Sequence, residues 1–164
     1  MSEQFHTTTA KALVLCNQGR PNINPAAAFF TTKLKATTEE YWSKLVSMMQ
    51  YLHQSRNDVL TLKADDSEVL CWHVDAAFAV HPDFKSHTGG SLSMGHGAIV
   101  SYSIEQKQNT RSSTEAELVA ADEIAGPMLW TANFLKTQGY DINSTLLQDY
   151  KQMCIQVPVS SLVI

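Results

Sequence analysis

The stretch Arg111–Gly126, RSSTEAELVAADEIAG, decides how the chain is read. A run of hydroxyl residues precedes two glutamates, Glu115 and Glu117, and apolar residues then recur at helical spacing. With Ser112 as N-cap, Glu115 stands at the third helical position. Its carboxylate can there return a hydrogen bond to the cap and meet the positive end of the helix dipole. Glu117 has no capping duty. It precedes Ala121 by four residues and Ile124 by seven, at the border of the stripe Leu118, Ala121, Ala125, Met128, Leu129, Ala132 and Leu135. Side chains so spaced share a helix face, so Glu117 is expected to point toward a sheet edge. Gly139 closes the helix, and Pro127 is expected to kink it near Gly126.

Upstream of this helix the period changes from helical to alternating. VLTLKADDSEVLCWHVDAAFAV (59–80) reads as two strands around an Asp65-Asp66 turn, and HPDFKSHTGG (81–90) reads as a loop. SLSMGHGAIVSYSIEQKQ (91–108) reads as two further strands, with Gly95 and Gly97 about the turn. Downstream, STLLQDY (144–150) is a short apolar strand ending on an acid. Nearer the N-terminus, residues 1–24 are polar and broken by NQGRPNINP, a loop signal, and Pro25 opens a short helix. Thr37 and Glu40 fit a capping box for a helix whose stripe is Trp42, Leu45, Val46, Met49 and Leu52. The order is two helices, several antiparallel strands, a long helix and a last strand, which is a mixed α/β layout with helix packed on sheet.

A chain of 164 residues with 44% apolar and 9% aromatic content can bury a core of one domain or slightly more. At a net charge of −4 nothing in the chain resembles a basic tail of the kind that binds phosphate nonspecifically, which counts mildly against a free-standing nucleic-acid binder. Cys16, Cys71 and Cys154 are far apart and form no CxxC pair, which argues against a zinc knuckle or disulfide framework and for a reducing compartment. The start lacks the pattern of a secretory signal, and no apolar run approaches the roughly 20 residues that span a bilayer. An intracellular, cytoplasmic location with nuclear access open is therefore expected.

Three carboxylates occupy telling places. Asp75 lies within an otherwise apolar strand, Glu117 in the first turns of the long helix, and Asp149 at the end of the last strand. Burying an acid is unfavourable unless it is paired, protonated or bound to a cation. Neighbouring acids repel, so a cluster invites a divalent metal, and two Mg²⁺ ions about 4 Å apart can support phosphodiester hydrolysis. Each acid by itself is served as well by a solvated position: Asp75 on a half-exposed strand, Glu117 on a helix surface, Asp149 in a turn. The ordered set carries the signal.

The residues HVDAAFAVHPDFKSHTGGSLSMGHGAIVSYSIEQKQNTRSSTEAELVAADEIAGPMLW (73–130) resemble the RNase H domain of copia-type retrotransposon polyproteins. The family's first-strand acid matches Asp75. Its hallmark SSTEAE is intact from Ser112 to Glu117, and its QDN strand end corresponds to Gln148-Asp149-Tyr150. The preceding residues 5–65 look like the end of the same polyprotein's reverse transcriptase, its thumb and connecting region. The resemblance runs over about residues 4–149.

It implies an RNase H-like mixed sheet with packed helices, preceded by a small helical segment. The implied boundaries are 1–57 for the thumb- or connection-like segment, 58–150 for the RNase H-like domain and 151–164 for a divergent tail. It further implies Mg²⁺ (or Mn²⁺) held by Asp75, Glu117 and Asp149, and hydrolysis of the RNA strand of an RNA–DNA hybrid during reverse transcription. The hybrid would be recognised through backbone shape and 2′-hydroxyls. The alternative is a non-catalytic remnant that binds nucleic acid or protein.

Two departures stand out. The family has a fourth acid beyond QDN, whereas nothing acidic follows Asp149 here, and Ala77 sits where many relatives carry an acid or hydroxyl. Activity weakened or lost by truncation is the expectation.

Among other residues, His81 and His87 lack a third ligand and are expected to be no metal pair. His73 is expected to be structural, on the opposite side of the sheet from Asp75. Trp42, Trp72 and Trp130 are expected in the core. TGGSLSMGHG (88–97) lacks the spacing of a phosphate loop and reads as strand turns.

Overall fold

The computed structural model describes residues 2–65 and 67–148, the side chains of 145–148 excepted. They form two compact units that divide between Thr61 and Leu62.

The first unit is helical. Helix α1 spans Ser2–Gln18, where the sequence reading places no helix. Phe5, Thr9, Ala12 and Cys16 recur at helical spacing on its buried side. The run Thr7–Thr9 has modest helix propensity, and burial of this stripe overrides it. A short 3₁₀ turn, Pro21–Ile23, leads into α2, Asn24–Thr32, with Pro25 in its first turn as expected. Helix α3 spans Glu39–Gln54. Its cap is Thr38, one residue later than expected, and the Thr38 hydroxyl accepts from the Tyr41 N–H at 3.3 Å. The buried face is Leu45 and Met48, with Tyr41, Trp42 and Leu52 partly buried, while Val46 and Met49 turn outward. Phe5 meets Phe30 edge to face at 5.8 Å in this core.

The second unit is a mixed sheet with one helix packed on it. Strands β2 (Val69–Ala77), β3 (His87–Ser93), β5 (Ala98–Glu105) and β6 (Asn143–Gln148) lie in the order β5-β3-β2-β6. β2–β3 and β3–β5 are antiparallel, and β2–β6 is parallel. The segment before β2 departs from the reading. Only β1, Lys63–Ala64, is strand, and it pairs with β4, Gly95–His96, not with β2. Asp65 Oδ1 caps the following turn by accepting from the Ser67 N–H at 3.1 Å, which favours a turn over a continued ladder; Asp66 lies outside the described residues.

Helix α4, Ser113–Thr137, covers one face of the sheet and runs through Pro127. It ends in a Schellman arrangement: Gly139, at φ 90°, donates to Lys136 O, and Tyr140 donates to Leu135 O. The core joins Leu70, Trp72, Val74 and Leu92 of the sheet to Ala120, Ile124 and Met128 of the helix. A Cβ on Gly90 would stand 2.6 Å from Ile124 Cδ1, so the helix is seated where β3 has no side chain. The buried stripe is turned relative to the expected one. It runs along Ala116, Glu117, Ala120, Ile124 and Met128, leaving Leu118 65% and Trp130 66% exposed. Small alanines let the backbone approach the sheet, and Trp130 stacks on Phe134 outside the core, 5.3 Å between rings. The architecture is mixed α/β and compatible with an RNase H-like fold.

Candidate functional site

Asp75 and Glu117 come together at one backbone group. Asp75 lies near the C-terminal end of β2 and accepts from the Ala76 N–H through Oδ1 at 2.9 Å. Glu117 Oε1 accepts from the same N–H at 3.3 Å. The two accepting oxygens are therefore separated by no more than those two distances laid end to end. Glu117, only 9% exposed, is the buried member, and Asp75 is exposed. The desolvation argument made for Asp75 thus applies to Glu117 instead. His73, two residues before Asp75, is exposed on the same side of β2, which corrects the expectation that it faces away.

The start of α4 assigns Glu115 and Glu117 different work. The Ser112 hydroxyl accepts from the Glu115 N–H at 3.1 Å, as a cap should. The Glu115 carboxylate reaches back, but to the Arg111 N–H at 2.7 Å rather than to the N–H of Ser112. Glu115 therefore serves the helix start, and Glu117 faces β2.

Asp149 lies outside the described residues. Strand β6 is described to Gln148, whose partner across the parallel ladder is Val74, the residue before Asp75. Among the described residues no group of three His, Cys, Asp or Glu side chains is placed to hold a metal ion.

Beneath the two acids lies a buried polar set that the sequence reading passed over. The Ser86 hydroxyl, fully buried, accepts from the Ala79 N–H at 3.1 Å and meets Thr110 Oγ1 at 2.8 Å. Gln106 Nε2 donates to Thr88 Oγ1 at 3.0 Å and to the Ala116 carbonyl at 2.9 Å. One signal was available: Thr88 is in phase with Gly90 and Leu92, so alternation along β3 places it on the helix-facing side. Nothing in spacing marks Gln106, which follows β5 in a connection.

His81 and His87 form a hydrogen-bonded pair, Nε2 to Nδ1 at 3.0 Å, with ring centroids 5.2 Å apart. At that separation the two nitrogens face each other almost head-on, which suits a shared proton and not a common metal. His81 Nδ1 lies 3.5 Å from Glu105 Oε2, and His87 Nε2 lies 2.7 Å from Ser103 Oγ. Burial, and then the neighbouring His81, hold the His87 imidazole below its ordinary pKa.

The chain is 33% identical over 121 residues to the retrovirus-related Pol polyprotein from transposon TNT 1-94 of Nicotiana tabacum, covering 73% of this chain and 9% of that protein. It is 31% identical over 121 residues to the corresponding polyprotein from transposon RE1 of Arabidopsis thaliana, covering 73% of this chain and 8% of that protein. A putative transposon Ty5-1 protein of Saccharomyces cerevisiae is 24% identical over 121 residues, or 39% of its length. No family model and no solved structure matches the chain. Fold and relatives together make this a retrotransposon-derived domain of mixed α/β architecture. The chain belongs with the retrovirus-related Pol polyproteins of copia-type transposons, and it spans under a tenth of the tobacco and Arabidopsis proteins.

Proposed function

We propose that the sheet unit is an RNase H-type domain that hydrolyses the RNA strand of RNA–DNA hybrids, with Asp75, Glu117 and Asp149 as ligands to Mg²⁺ or Mn²⁺. One observation carries this reading: the carboxylates of Asp75 and Glu117, 42 positions apart in sequence, share the Ala76 N–H. Two carboxylates brought to one N–H repel each other, and a divalent cation with oxygen ligands would offset that repulsion. The donor set is of the hard-oxygen type that Mg²⁺ and Mn²⁺ take.

Each residue has a distinct part. Asp75 is exposed, on the side from which a cation and substrate would arrive. Buried Glu117 is held by Ala76 and lies in the second turn of α4, where its placement depends on the helix start. When bound, the cation would activate a water and stabilise the leaving oxygen of the phosphodiester. Two carboxylates on a chain of net charge −4 repel a phosphate backbone, so approach of a nucleic acid would depend on that cation. The hybrid would be distinguished by its shape and 2′-hydroxyls.

The second reading is a non-catalytic module that binds nucleic acid or protein. One assay separates them. Purified chain is incubated with a labelled RNA–DNA hybrid and Mg²⁺, beside the Asp75→Asn variant. Cleavage of the RNA strand, abolished by the substitution, is expected. Binding of the hybrid without cleavage would leave the module reading standing and overturn the nuclease.

A further inference from the structure

We infer that Gln106 is a positioning residue for Glu117, acting through two hydrogen bonds that tie the start of α4 to the sheet beside Ala76. The inference rests on the reading of Asp75 and Glu117 as a shared cation site, and it says what holds that site in register.

The ring of contacts closes. Gln106 Nε2 donates to the carbonyl of Ala116, the residue before Glu117, and to the hydroxyl of Thr88. Thr88 is the cross-strand partner of Ala76. Ala76 in turn donates to Asp75 and Glu117. One amide therefore connects the backbone that bears Glu117 to the strand pair that bears Asp75. The orientation of the amide is fixed by chemistry: a carbonyl can only accept, so nitrogen must face Ala116.

Gln106 is fully buried, and its Oε1 has no hydrogen-bond partner among the described residues. An unpartnered buried amide oxygen is unfavourable, and an apolar side chain of similar shape would avoid it. Both N–H groups, by contrast, are used, and they lead to the two elements that carry the acids. The amide also serves stability at its sheet end, where it is the donor to the fully buried Thr88 hydroxyl; its second bond, to Ala116 O, is the one that reaches the backbone bearing Glu117. Ala116 O also lies within the α4 ladder, so losing Gln106 does not strand it.

The test uses the full chain without metal and follows the Ala76 amide in a ¹H–¹⁵N spectrum. Glu117→Gln removes the charged acceptor and sets the direction of the shift. Gln106→Met, which keeps length and loses both donors, is expected to move the Ala76 signal in that same direction by at least half as much. Its thermal midpoint is expected to fall by no more than the loss of one buried hydrogen bond, that to Thr88, accounts for. Thr88→Val, which cuts only the sheet end of the tie, is expected to give a smaller shift of the same sign. Mn²⁺ affinity in Gln106→Met should fall by about tenfold, as is usual when a ligand's supporting partner is lost. An unmoved Ala76 signal in Gln106→Met overturns the inference. So does global unfolding of both variants, which would make the amide a stability element. If the parent chain binds no Mn²⁺ and cleaves no hybrid, the nuclease reading fails, and the Ala76 signal still decides the role of Gln106.

Discussion

Among the described residues, those buried in the helical unit are apolar apart from Thr9, whereas the sheet unit also buries Ser86, Thr88, Gln106, Thr110, Glu117 and Ser144. Within the sheet unit the two kinds of burial are separated along β2 and α4. Leu70, Trp72, Leu92, Ile124 and Met128 form an apolar core, while five of the six polar groups gather where β3 begins and α4 starts. Apolar packing tolerates small displacements, because dispersion contacts are numerous and weakly directional. Hydrogen-bonded polar burial does not, because each bond fixes a distance and an angle. The lesson is that the part of the molecule bearing the two acids is built for position, and the helical unit for burial.

Substitutions can break that contrast or sharpen it. The largest effect is expected in the helical unit: Phe5→Ala removes a fully buried ring packed on Phe30 and should cost about 3–5 kcal/mol, read from denaturant unfolding followed by circular dichroism. A cost near zero would mean that this core is not packed as described. Ser86→Ala comes next. It leaves the Ala79 N–H and Thr110 hydroxyl without that partner, and about 1–3 kcal/mol should be lost in the sheet unit. Ala79 sits in the left-handed region at φ 51°, so the loop should also loosen, seen as faster amide exchange at Ala79. Glu115→Ala removes the acceptor of the Arg111 N–H on an exposed helix start and should cost about 1 kcal/mol or less. Should it instead cost as much as Phe5→Ala, the division of labour between Glu115 and Glu117 is wrong.

Acidity gives the mildest probe. The folded chain holds His87 below its ordinary value of 6.5, so the unfolded chain binds the proton more readily. Stability from His87 is therefore full above pH 6.5 and declines as pH falls from there through the lower folded value. Glu105, Lys85, Asp83 and His81 are the charged or titratable neighbours of this pair. Chemical unfolding between pH 7.5 and 5 should show the decline, and His87→Gln should flatten it.

Much of this was legible from local patterns. Ser112 and Glu115 announce a helix start, Gly139 its end, and Gly95 and Gly97 the turn between β3 and β5. Asp75 and Glu117 were singled out from their places on strand and helix, and they meet at Ala76. What stayed hidden depends on tertiary contact. Helix α1 is not evident from the sequence, because its stripe of Phe5, Thr9, Ala12 and Cys16 is interrupted by polar neighbours and gains stability only when packed. Trp130 was assigned to the core on size and spacing, yet the close approach of Ala116 and Ala120 to the sheet turns it outward. Gln106 left no trace at all, since a single glutamine after a strand looks like any solvated loop residue until Thr88 and Ala116 are seen beside it.

The proposed cation site depends on two carboxylates that meet at the Ala76 N–H. Calorimetric titration of the full chain with Mn²⁺, beside Asp75→Asn and Glu117→Gln, tests this most directly. Binding by the parent chain, lost in each variant alone, is the expected result. Equal binding by all three, or none by the parent, would contradict it.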